Sequence, residues 1–95
     1  MPLFVVQHRH PADNCPALDP EMGPMLLQHL SPSNAASHGI TVQSEAVING
    51  AHTLYLIVEA AREEQISRFM QPFSQVGTVE IFPASPCESV VGRGC

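Results

Sequence analysis

The chain has 95 residues, 44% of them hydrophobic, with nine acidic side chains against four arginines and a formal net charge of -5. That length bounds one domain, 1–95, with a modest core, and the acidic balance excludes a nucleic-acid binder, which needs a basic footprint. No apolar run approaches the roughly 20 residues of a membrane span, and Met1-Pro2-Leu3-Phe4-Val5-Val6 lacks the basic flank of a secretory leader, so no membrane is expected and the expected location is cytoplasmic.

Pro2 to Arg9 reads as a first strand with apolar residues on both faces, and period two places His8 and His10 in line with Phe4 and Val6. Pro11 stops it, and His10 to Asp19 is a proline-stiffened loop carrying Asp13 and Cys15. Asp19-Pro20-Glu21 is a helix start with an acidic N-cap, and Met22, Met25, Leu26, His29 and Leu30 follow at helical spacing. Pro24 places the regular helix nearer Gly23, and Ser31-Pro32 ends it. Ser33 to Gly39 predicts a single turn capped by Ser33. Ile40 to Ile48 predicts an edge strand with Ile40, Val42, Ala46 and Ile48 on one face, and Asn49-Gly50 turns it into a hairpin.

The strongest strand signal is His52-Thr53-Leu54-Tyr55-Leu56-Ile57-Val58-Glu59, apolar on both faces from Leu54 to Val58. Such a strand needs cover on two sides. Ala61 to Val76 predicts a second helix with an apolar stripe of Ile66, Phe69, Met70, Phe73 and Val76, kinked at Pro72 and stopped by Gly77. Thr78 to Pro83 predicts the last strand, at a sheet edge. Residues 84–95 form a C-terminal extension in which Ser89-Val90-Val91 could add a short strand.

The order strand, helix, strand, strand, helix, strand is the split βαβ pattern. Right-handed crossovers place the first and third strands in the centre of a four-stranded antiparallel sheet, and these are the two strands that are apolar on both faces. The fold class is therefore α+β, a ferredoxin-like βαββαβ sandwich with two helices on one face. The bare face, expected to carry a set such as Phe4, Val6, Tyr55 and Ile57, would be a large apolar patch. The simplest cover is the same face of a second copy, a two-fold homodimer.

In element order and length the chain resembles the dimeric α/β-barrel proteins, a ferredoxin-like superfamily. The resemblance implies a dimer and a pocket between sheet and helices or between the two sheets. It also brings cofactor-free monooxygenases, haem-degrading enzymes, isomerases and small metal-binding proteins into view, without carrying over any catalytic residue.

Three cysteines, Cys15, Cys87 and Cys95, are too few and too dispersed for a disulfide framework. The topology gathers His8, His10, Cys15 and His52 at one end of the sheet, a ligand set suited to zinc, nickel, copper or iron. The leading expectation is a small dimeric metal-binding protein. Three alternatives stand beside it: a polar strand end with a packed thiol; a cofactor-free monooxygenase or isomerase using His8 or His10 as a base on a small aromatic ligand; and a non-catalytic dimerisation module. His29, His38 and Cys87 gather at the other end, where helix-dipole and capping roles suffice. Met22, Met25 and Met70 are expected in the core, as is Tyr55, in the dimer interface.

Overall fold

A computed structural model describes residues 1–95. Its strands are β1 (Leu3–Arg9), β2 (Ile40–Ile48), β3 (Thr53–Ala60) and β4 (Thr78–Ala84), and its helices are α1 (Met22–His29), α2 (Pro32–Ser37), α3 (Glu63–Phe69), α4 (Gln71–Ser74) and α5 (Cys87–Val90). The sheet runs β2-β3-β1-β4 with every neighbouring pair antiparallel. This is the ferredoxin-like α+β arrangement, with the two doubly apolar strands at the centre.

The register sorts the side chains by face. Phe4, Val6 and His8 stand opposite Val58, Leu56 and Leu54 on β3, and opposite Pro83, Ile81 and Val79 on β4. Directly paired residues share a face, and this one is the core face. Phe4, Val6, Leu56, Val58 and Ala60 pack there with Leu26, Ile66, Phe69, Met70 and Phe73. The fully buried Phe69, Leu56 and Ile66 are its largest members, each worth roughly 1.5–3 kcal/mol of burial.

Phe4 and Val6 therefore do not belong to the bare face. That face carries instead the row Ile57–Val5–Phe82 across three strands, with Ile57 39%, Phe82 43% and Ile48 49% exposed. Tyr55 lies beside this row and donates its hydroxyl hydrogen to Gln7 Oε1 at 2.8 Å.

Local departures from the sequence expectations have identifiable causes. β2 carries a bulge at Gln43, between Val42 (opposite Val58) and Ser44 (opposite Ile57). One extra residue reverses the alternation. Glu45 and Val47, paired to Leu56 and Leu54, share the core side, whereas Ala46 and Ile48 turn to the bare side. The hairpin loop has four residues, Asn49 to His52, because Ile48 pairs with Thr53. His52 thus precedes β3 rather than beginning it.

The predicted helix over Ala61–Val76 is two short helices. Met70 ends α3, and Pro72 sits in the first turn of α4, where its missing N–H is not needed. The cap of α2 is Ser31, whose hydroxyl accepts from Asn34 N–H, with Pro32 as first helical residue, so Ser33 lies inside the helix. The N-cap of α1 is Glu21 rather than Asp19, which instead closes the turn leading into the helix. Asp19 Oδ1 accepts from Met22 and Glu21 N–H at 2.9 and 2.8 Å, and these bonds hold its carboxyl below the ordinary value. Residues 87–90 form the helical turn α5 rather than a strand.

Candidate metal centre

β1 leaves the sheet at Arg9, but its last ladder bond continues one step, from His10 N–H to the His52 carbonyl at 3.2 Å. That bond fixes His10 beside the hairpin loop. His52 takes φ +50, the single non-glycine residue in the left-handed region. For an L-residue this costs about 1–2 kcal/mol. In this conformation His52 Nδ1 lies 3.2 Å from His10 Nε2.

Cys15 arrives from the other side. Two tight turns, Ala12–Asn14 and Pro16–Leu18, fold the proline-rich loop back beneath α1. Gly23 permits this, since a Cβ there would lie 2.9 Å from the Pro16 carbonyl oxygen. The half-buried Cys15, His10 and His52 thereby each offer a ligand atom, all within 4.8 Å of one another. Tetrahedral zinc with nitrogen ligands sets neighbouring donors about 3.3 Å apart, and nitrogen–sulfur pairs about 3.6 Å. The two imidazoles already stand at that spacing, and the thiol needs to close by no more than about 1.2 Å. The group could hold a metal ion.

His8 stands outside this triangle. It is 2% exposed, its ring edge-on to Phe73 at 5.2 Å and 5.6 Å from the His10 ring. The Phe73 and Val76 carbonyls are close enough to favour its protonated form, yet Nε2 has no partner at hydrogen-bond geometry. Burial outweighs them and lowers the His8 pKa below the ordinary 6.5, with the His10 charge acting in the same direction. Burial, and next the His52 charge, lowers that of His10 as well. Its Nδ1 is buried without a partner. Both shifts keep the rings neutral, the form a metal requires.

The shifts have a sign in stability. The unfolded chain takes up protons near pH 6.5 that folded His8 and His10 refuse, so the unfolded state gains as pH falls. Stability of the metal-free protein is expected to be fully present above about pH 7.5 and to decline as the pH drops through about 6.5 and below. Urea midpoints measured across that range, in chelator, check this, and His8→Leu should reduce the slope. A midpoint that does not move would show that neither ring is held neutral by the fold.

His10, Cys15 and His52 all line one groove of about 600 Å³ between the hairpin end of the sheet and α1. Pro16, Leu26, Leu30, Leu54 and Phe73 make it apolar, and Glu45, Val47 and, at the strand end, Ile48 form the wall on β2. Strand alternation alone points Val47 away from this wall, and the bulge is what brings it in.

At the other end of the sheet, His29 and His38 both lie against Phe69. His29 Nε2 donates to the Phe69 carbonyl, while Asn34 Nδ2 donates to His29 Nδ1 at 3.1 Å and to the His29 carbonyl at 2.7 Å. His29 is thus a structural clasp joining α1, α2 and α3. Cys87 and Cys95 are exposed and belong to no such group. No helix is long and apolar enough to cross a membrane. Residues 3–93 match the model of a family described as a domain of unknown function, DUF3303. No curated protein matches the chain.

Proposed function

The chain belongs to the DUF3303 family, and we propose that it is a small metal-binding protein whose His10, Cys15 and His52 hold one late first-row transition metal ion. The observation that carries this reading is the convergence of two imidazoles and a thiol within 4.8 Å from three separate segments. The left-handed backbone of His52 supports it, because a disfavoured conformation is held at the residue that supplies a donor. Two nitrogens and one thiolate suit zinc first, with copper, nickel and iron as competitors for the same donors. Three protein ligands with a fourth position facing a groove is the arrangement of an open site rather than a closed structural one. His8 lies behind His10 and acts through it.

The experiment is a titration of chelator-treated protein with zinc, followed by elemental analysis after desalting. One metal per chain with submicromolar affinity is expected. Absence of retained metal after loading would remove the reading.

We also place the chain in a homodimer formed through the bare sheet face. Support comes from the exposed row Ile57–Val5–Phe82, flanked by Ile48 and Tyr55, since contiguous apolar surface of this kind marks an interaction site. Light scattering is expected to give twice the chain mass for the wild type and the single mass for Ile57→Glu. A wild type that is monomeric at every concentration would refute the pairing.

The groove beside His8 and His10 also suits the second reading, acid–base chemistry on a small aromatic molecule without metal. It predicts activity that survives chelation, whereas the metal reading predicts metal retention.

A further inference from the structure

The metal reading uses three donors and leaves the groove unexplained. The groove has about 600 Å³ of volume, its floor holds all three ligands, and its walls are mostly aliphatic and aromatic carbon. That volume lies within the range of small-molecule sites. Leu27 and Val47 stand at its margin 68% and 61% exposed, apolar surface left to water unless something fills the groove. Among its lining residues the single carboxylate is Glu45, and no lysine or arginine is present. With a chain charge of -5, no lysine or arginine there would receive a carboxylate or phosphate, and Glu45 would repel one. An open metal position accepts an external donor, and neighbouring soft or borderline ligands favour nitrogen or sulfur over oxygen.

We propose that the groove binds a small, uncharged, largely apolar molecule bearing one nitrogen or sulfur donor, and that this donor takes the remaining position on the metal held by His10, Cys15 and His52. The inference rests on the metal reading but can fail separately from it. The bulge in β2 contributes directly, because the reversed alternation turns Val47 to the groove side, next to Ile48 at the strand end.

The test uses the cobalt-loaded chain and a series of 1-alkylimidazoles from methyl to hexyl, read by the visible spectrum of the cobalt. Each added methylene that enters the groove should tighten binding roughly three- to fourfold, and hexanoate should bind at least about tenfold more weakly than 1-hexylimidazole. Val47→Asp should weaken the hexyl compound while leaving the methyl compound and cobalt loading unchanged, since Val47 is exposed and makes no metal contact. Cobalt that loads normally but shows equal affinity along the series would overturn the inference and leave the metal reading standing. Tight binding of the alkylimidazoles to metal-free protein would overturn the donor's place on the metal. Failure to load cobalt at all would overturn both.

Discussion

Zinc at a thousandfold excess over its dissociation constant is expected to raise the melting temperature of the wild-type chain by about 15 °C or more, and that of Cys15→Ala by about two thirds as much or less. Binding to the folded state alone contributes about 4 kcal/mol at that excess, and each kcal/mol moves the midpoint of a domain this size by about 4–8 °C. Deleting a direct ligand should cost no less than the roughly 10- to 100-fold lost when a supporting residue is removed.

His52→Gly separates ligand loss from damage to the fold. Glycine relieves the left-handed backbone at φ +50, so the metal-free variant should equal or exceed the wild type by about 1 kcal/mol. The zinc-induced rise should nonetheless collapse. Opposite movements of the two quantities cannot come from misfolding. A His52→Gly protein that keeps the full zinc response would show that His52 does not ligate. Thermal melts with and without chelator give both numbers.

The second large effect is expected at Gly77, where β4 begins. It has φ +147, and a Cβ there would lie 2.0 Å from the Arg9 carbonyl oxygen, 2.9 Å from its carbon and 3.0 Å from His8 Nε2. The first two obstacles are backbone of a central strand and cannot rotate away. Gly77→Ala is therefore expected to cost about 4 kcal/mol or more, beyond the 1–3 kcal/mol of conformational strain alone, and to lower the melting temperature by about 15 °C or more. Gly50 is the comparison. It also has positive φ, at +76, but nothing lies within 4 Å of its Cβ position. Gly50→Ala should then show strain without collision, about 1 kcal/mol. Equal losses in the two variants would mean that the close approach of β1 and β4 carries no weight.

The sheet was legible because burial on two faces leaves a mark in composition. β1 and β3 are apolar at successive positions, and only central strands covered or paired on both sides can be so. The bulge was not legible. In Ile40–Ile48 both Ala46 with Ile48 and Val47 are apolar, so alternation fits either register, and pairing with β3 decides it. The single long helix over 61–76 failed at Met70 for a similar reason: its apolar stripe runs through a break that Pro72 makes possible.

At the candidate site, topology alone brings His10, Cys15 and His52 to one end. His8 was grouped with His10 because both continue the line of Phe4 and Val6. The strand ends between them, so His8 stays beneath Phe73 while His10 follows the chain out toward the hairpin. Pro16, Gly23 and Leu26 had no mark as groove residues, since their role depends on how the loop folds under the helix.

Gln43 has a reach larger than its own side chain. The place of that one residue in the bulge determines which residues of the hairpin arm look toward the core side and which look toward the bare face. Deleting it would join Val42 to Ser44 in an unbroken ladder with every facing kept, whereas pairing Gln43 with Ile57 in place of Ser44 would exchange the two populations: Ala46 and Ile48 would move inward while Glu45 and Val47 moved outward. The register of this arm is therefore under joint tenancy, and a slip that retunes one surface rewrites the other.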